Sequence, residues 1–318
     1  MAEKDRPSCC TPNNDAASSA PRSVASITSG VGSALDTAES VVIPAGTFLY
    51  GCDRREGHPA DGEGPARRVQ LDAFRIDRHA VSIARFARFV EATGYVTDAE
   101  RIGWSFVFAG LLPDDFEETR GVAAAPWWRQ VFGASWRHPE GPQSDWRGRD
   151  THPVVHISHD DALAFCAWTG KRLPTEAEWE KAARGGLEGK RFAWGDDETP
   201  GGAHQCNVWQ GVFPSENANS DGYYGTAPVD AFAPNGYGLH NMAGNAWEWC
   251  ADWFTSRRRI ADGDANPRGP DDGTFRVMRG GSYLCHPSYC WRYRNGARSN
   301  AAPDTSTGHI GFRCVMDA

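Results

Sequence analysis

Cys285 and Cys290 stand five positions apart in GGSYLCHPSYCWRYRNGARS, residues 280–299. Two thiols at that spacing can form a disulfide, bind a metal or carry out redox exchange. In a regular strand, residues five apart face opposite sides, so the sulfurs meet only where the chain between them turns. Pro287 and Ser288 supply turn chemistry. A disulfide requires neighbouring Cβ atoms. A soft, low-coordinate ion such as Cu(I) favours thiolates, whereas structural zinc takes four ligands and is under-supplied by two. The residues alone put a labile disulfide ahead of copper and leave both open. Arg292, Arg294 and Arg298 would lower a thiol pKa, or would simply bind carboxylates of an acidic chain.

Two further stretches gather oxygen donors. GLHNMAGNAWEWCADWF, residues 238–254, holds Asn241, Gly244, Ala246 and Glu248 in a short compass. Oxygen ligands on irregular backbone suit Ca²⁺, although on spacing alone a tryptophan-rich structural turn is the better reading. NVWQGVFPSENANSDGYYGTAPV, residues 207–229, offers Asn207 and Asp221 with neighbouring carbonyls for another Ca²⁺, again with a plain polar loop as the default. His152, His156 and His159 lack an evident supporting carboxylate; the last two straddle an expected helix start, and all three read as structural or capping residues. No GxGxxG, Walker A, HExxH or GxSxG signature occurs.

These residues need elements to position them. The chain has 318 residues, a net charge of −8, 35 Gly, 20 Pro and 13 Trp. That composition predicts one domain of mixed α and β with short elements and long irregular connections, with tryptophans layered under loops. Residues 1–40 read as a disordered tail carrying Cys9 and Cys10, and residues 41–318 as the folded domain. Strands are expected at Val41–Ile43 and through VQLDAFRIDRHAVS from Val69. Ser82 caps a helix with Ile83, Phe86, Phe89 and Val90 on one face, closed by Gly94. Residues 95–155 look like a long irregular excursion. Helices follow from Ser158 to Gly170 and from the Thr175/Glu178 capping box to Gly185. An odd count of nine cysteines, irregularly spaced, argues against a disulfide scaffold. The mild acidity points away from nucleic acid. No apolar stretch of signal-peptide or membrane-spanning type appears, so the expectation is a cytoplasmic protein without membrane contact.

Taken together, IPAGTFLYG, GKRLPTEAEWEKAARGG, NVWQGVFP, APVDAFAPNGYGLHNMAGNAWEW and RGGSYLCHPSYCWRYRNGARS with GFRC resemble the formylglycine-generating enzymes, the sulfatase-modifying oxidases. The resemblance runs from about residue 41 to the C-terminus. The first three motifs are shared with a broader group of related domains; the two-cysteine segment with its RGGSY lead is specific to the oxidases. The resemblance implies an α+β, irregular single domain of variant C-type-lectin-like fold. It implies an O₂-using oxidase that converts the cysteine of a Cys-x-Pro-x-Arg segment, in an unfolded or nascent sulfatase polypeptide, to Cα-formylglycine. Cys285 and Cys290 match the Cu(I) ligands, which outweighs the disulfide. Ser282 and Tyr289 match polar residues beside them, and Trp247 the tryptophan of the oxygen pocket. Asn207, Val208, Asp221 and Tyr223 match one structural calcium site; Asn241, Gly244, Ala246 and Glu248 match a second. A monomer is implied. Cys166 and Cys314 match a pair that bridges in some relatives, Ala183 and Asn295 stand where another bridge would be, and His309 replaces an Asn. Ala80 and Trp104 occupy the places of acidic residues that hold the substrate arginine. The competing readings are a non-catalytic binding module on the same scaffold and a related non-haem iron oxygenase, for whose His-rich helical domain the chain has no room.

Overall fold

A computed structural model of the protein describes residues 38–54 and 56–318, together with Pro12, Gly32 and Asp36. Cys9, Cys10 and most of the expected tail lie outside the described residues. Asp36 nevertheless pairs with Arg85 at 2.8 Å and Lys171 at 2.6 Å, against the first and third helices.

Four helices carry the sequence's start and stop signals: α1 (Ile83–Thr93), α2 (Asp98–Ile102), α3 (His159–Thr169) and α4 (Glu176–Arg184). Ser82, Thr97, Ser158 and Thr175 each accept a hydrogen bond from the backbone N–H three residues on, and Gly94, Gly103, Gly170 and Gly185 close the helices in the left-handed region. These caps satisfy backbone groups that a helix end otherwise leaves orphaned.

The strands are short. They are β1 (Ser40–Ile43), β2 (Gly46–Tyr50), β3 (Arg67–Leu71), β4 (Phe74–Asp77), β5 (Trp104–Phe108), β6 (Gly121–Val122), β7 (Ala125–Phe132), β8 (Gly211–Val212), β9 (Glu216–Asn217), β10 (Trp247–Trp253), β11 (Arg276–Arg279), β12 (Ser299–Ala301), β13 (Ile310–Gly311) and β14 (Val315–Asp317). They form small sheets rather than one large one: β1-β4-β14, β12-β11-β10-β13, β2-β3, β5-β7-β6 and β8-β9. In the second sheet β10 is antiparallel to β11 and parallel to β13.

The stretch 95–155 departs from the irregular excursion expected. It contains α2 and an antiparallel sheet in which Trp104–Phe108 pairs with Trp128–Phe132. The aromatic clusters obscured strand alternation, because both faces of β5 are largely covered: only Trp104 of its five residues is not buried. Trp128 and Trp136 are buried, and Trp127 is half-buried.

The main core packs α1 and α3 against β10, with Phe86, Phe89, Phe165 and Phe312 in edge-to-face and stacked contacts at 5.4–6.5 Å. Cys285 and Cys290 belong to this same buried cluster. Beside it, α4 covers a network of buried ions. Arg279 reaches Glu176 at 2.8 Å and Glu180 at 2.7 Å, and Arg298 reaches Glu176 at 2.6 Å. Burial alone would raise the Glu176 carboxyl, but Arg298 and Arg279 hold it down at about 2. The network pins β11 and β12, the two strands that bracket the cysteine segment. Among the described residues no helix is long and apolar enough to cross a membrane.

Candidate active site

Beyond Arg279 the chain leaves β11 through two glycines with positive φ, +95° at Gly280 and +75° at Gly281. A Cβ at Gly280 would meet the Trp179 ring at 3.2 Å, and one at Gly281 would meet Tyr293 at 3.1 Å. Glycine therefore serves here for both backbone angle and close approach. The chain then turns tightly. Cys285 N–H donates to the Ser282 carbonyl, and the N–H groups of Tyr289, Cys290 and Trp291 all converge on the His286 carbonyl at 2.9–3.2 Å. This is the turn that Pro287 and Ser288 foretold, and it brings the sulfurs together.

The Cys285 and Cys290 sulfurs lie 3.0 Å apart as free thiols, and the two residues are 2% and 1% exposed. Burial, and then the neighbouring Cys290 thiol, push the Cys285 pKa well above its ordinary value. The Ser282 N–H points at the Cys285 sulfur, 3.4 Å away, and the fully buried Ser282 hydroxyl accepts from the Leu284 N–H. Trp247 is fully buried in the same cluster, and among the described residues its indole N–H has no hydrogen-bond partner. Tyr289 stacks on Phe213 with ring centroids 4.6 Å apart, and the edge of Trp127 closes on both rings at 4.9 and 5.1 Å. Among the described residues no three His, Cys, Asp or Glu side chains converge as a metal cage, so an ion at the thiol pair would have two protein sulfurs.

The oxygen-rich loops also converge. Asp221 accepts from the N–H groups of Val208 and Tyr223 at 3.3 and 3.0 Å and from Gln210, while the buried Asn207 Oδ1 has no partner among the described residues. The Asn241 Oδ1 is likewise buried and unpartnered. Glu248 differs. Its two oxygens accept from Arg313 Nε and Nη2 and from Trp179 Nε1, at 2.7–3.1 Å. These are three N–H donors on a carboxylate with four lone-pair positions, so Glu248 is held in an ion pair at the place where it would join Asn241, Gly244 and Ala246.

A family model described as sulfatase-modifying factor enzyme 1-like domain matches residues 30–318. The formylglycine-generating enzyme of Thermomonospora curvata is 57% identical over 281 residues, 87% of this chain and 93% of that protein. The chain belongs to the sulfatase-modifying factor family. A bovine protein named inactive C-alpha-formylglycine-generating enzyme 2 is 42% identical over 287 residues, 89% of this chain and 89% of that protein. Among solved structures, PvdO from Pseudomonas aeruginosa matches with a TM-score of 0.62 at 28% identity, covering 88% of this chain and 95% of that one. Family membership agrees with the expected single α+β domain of few helices and small mixed sheets.

The structure also places the other positions that the sequence singled out. Cys166 and Cys314 are free thiols with sulfurs 3.5 Å apart. Ala80 is buried and Trp104 packs on Phe106 at 5.1 Å, so neither place offers a negative charge. His309 is buried, 4.6 Å from the Trp128 ring, with Nδ1 2.5 Å from the Thr307 hydroxyl. His156 bonds Ser105 and the Pro139 carbonyl, and His159 the Cys250 carbonyl, which are structural roles. Arg292, Arg294 and Arg298 bind Asp61, Glu63 and Glu176 respectively. Sequence reasoning missed Phe213 and the loop 57–63, and it read Trp127 only as part of the long irregular stretch 95–155.

Proposed function

We propose that this protein is a copper-dependent formylglycine-generating oxidase, which uses O₂ to convert the cysteine of a Cys-x-Pro-x-Arg segment in a sulfatase polypeptide to Cα-formylglycine. The observation that carries the reading is the buried thiol pair at 3.0 Å, on a turn built for it, in a chain 57% identical to a protein named for this activity. The donor set suits Cu(I): two soft sulfurs, an apolar surrounding and no third ligand among the described residues. Cys285 and Cys290 would hold the ion. When bound, it supplies single electrons to O₂, which spin-paired thiols reduce only slowly.

The chain's own residues do the rest. The turn fixes both sulfurs and leaves the second face of the pair to a substrate thiol. Cys285 also exchanges with that thiol, whereas Cys290 stays with the metal. Trp247 and its neighbours keep water from the reacting centre, and Ser282 and Tyr289 orient oxygen species or move protons. The balance is explicit: the substrate Cβ gives up two electrons and a C–H bond, its C–S bond is hydrolysed, and sulfur leaves as hydrogen sulfide. Reduction of O₂ to water takes four electrons, so a thiol reductant supplies the other two.

Calcium belongs to the same reading as a brace for loops that lack sheet support. Asn207, Val208, Asp221 and Tyr223 would hold one ion; Asn241, Gly244, Ala246 and Glu248 would serve a second. The unpartnered buried amide oxygens of Asn207 and Asn241 fit that role. The protein would work as a cytoplasmic monomer.

A second reading, a non-catalytic binding module, is favoured by the inactive bovine relative. One assay separates them. Copper-loaded protein is incubated in air with a thiol reductant and a Leu-Cys-x-Pro-x-Arg peptide, and peptide mass is followed. Aldehyde formation supports the oxidase; tight binding without turnover supports the module. Cys290→Ser should abolish turnover, and Cys285→Ala should sharply lower Cu(I) affinity.

A further inference from the structure

The loop 57–63 lies across the cysteine turn and grips it at successive points. His58 Nε2 lies 2.9 Å from the Cys290 carbonyl oxygen. Asp61 accepts from Arg292 Nε and Nη2 at 2.6 and 3.2 Å. Glu63 accepts from both terminal nitrogens of Arg294 at 2.7 Å. Asp61 and Glu63 thus form a two-rung ladder with Arg292 and Arg294, in which all four side chains are at most 10% exposed. The rungs differ in one respect. Asp61 occupies the Nε–Nη2 edge of Arg292 and leaves Nη1 aimed at the Cys290 sulfur, 3.9 Å away. Among the described residues no such contact links Arg294 to either thiol.

We infer that Arg292, oriented by Asp61, is the electrostatic partner of the Cys290 sulfur and offsets the charge of the metal-loaded thiol pair. This rests on the copper reading above. Two thiolates and one Cu(I) carry a net negative charge in an apolar cluster, where an uncompensated charge is expensive. A guanidinium within 4 Å of one sulfur is a counter-charge already in place, and its fork geometry lets one edge be anchored while another serves the site. The loop's purpose is then to hold that guanidinium in place.

The test uses double variants, which remove both partners of a rung and so leave no lone buried charge. Cu(I) affinity of the reduced full-length protein is measured by competition with a chromophoric Cu(I) chelator. Asp61→Asn with Arg292→Met should weaken Cu(I) binding about tenfold or more. Glu63→Gln with Arg294→Met, the adjacent rung, should change it less than about threefold. Equal losses in the two double variants would mean that the ladder only supports the fold, and no loss in the first would mean that Arg292 has no electrostatic role; either overturns the inference alone. Failure of the unaltered protein to take up Cu(I) would overturn the copper reading and the inference with it.

Discussion

Arg313 and Glu248 form an ion pair at 2.8 Å with side chains only 0% and 3% exposed. Arg313 also donates to the carbonyls of Asp77, Arg78 and His240, so this one guanidinium ties β10 to the end of β4 and to the loop before β10. Arg313→Met would strand the Glu248 carboxylate in the core. The expected loss is about 3–5 kcal/mol of stability in urea unfolding, because removing one partner of a buried pair exposes the full desolvation cost of the other. Arg313→Met with Glu248→Gln should recover a large part of it. A single variant as stable as the parent would show that the pair is not under strain from burial at all.

A second buried carboxylate makes stability depend on pH. Asp161 accepts from the backbone N–H groups of Ser158 and Asp98 and from the Tyr95 hydroxyl, where the N-termini of α2 and α3 meet. Burial, followed by the adjacent Asp98 carboxylate, pushes its pKa up to about 7. The folded state therefore holds a proton that the unfolded chain releases near its ordinary value, and the group's contribution to stability falls as pH rises from about 4 to about 7. An amide cannot accept from all three donors, so Asp161→Asn costs stability at every pH. Its cost should nevertheless shrink between pH 5 and pH 8, by an amount on the order of 1 kcal/mol or more. Parallel stability curves for the two proteins over that range would contradict the shift.

Much of this architecture was readable in the sequence, for local reasons. The helix boundaries follow from caps within four residues of where they act, as with Ser82 and Gly94 or Thr175, Glu178 and Gly185. The cysteine turn was readable too, since Pro287 and Ser288 favour a bend between the two thiols. What could not be read was long-range pairing. Asp61 and Arg292 are 231 positions apart, and nothing local marks either for the other. The sheet β5-β7-β6 hid for a different reason: Trp104, Phe106, Trp127 and Trp128 put aromatic rings on both faces, so the alternation that betrays a half-buried strand is lost. The Glu248 side chain illustrates a third limit, since its spacing from Asn241 says nothing about the Arg313 that pairs with it.

Calcium removal tests the loop brace. Asp221 is half-buried and its pKa is raised by burial, an environment in which a bound cation would stabilise the carboxylate. Chelation of calcium should lower Tm by about 5 °C or more, and excess calcium should restore it. Asp221→Asn should abolish the calcium-dependent part of Tm while leaving the chelated protein near its original value. A Tm indifferent to chelator and to added calcium would remove calcium from the account.

Tyr289 offers the sharpest separation of packing from chemistry. Its ring stacks at 10° to Phe213 and meets Trp127 nearly perpendicularly, so it anchors the turn immediately before Cys290 whatever its hydroxyl does. Tyr289→Phe keeps those contacts and removes only the oxygen. If the hydroxyl orients oxygen or moves a proton, kcat should fall about 100-fold while the peptide KM and the Cu(I) affinity stay within about threefold. Tyr289→Ala would in addition loosen the turn, and should weaken Cu(I) binding and lower stability by about 3 kcal/mol, as aromatic truncations do. Steady-state kinetics beside the chelator competition distinguish the two effects. A phenylalanine variant with unaltered kcat would confine Tyr289 to packing and leave Ser282 as the hydroxyl to test beside the thiols.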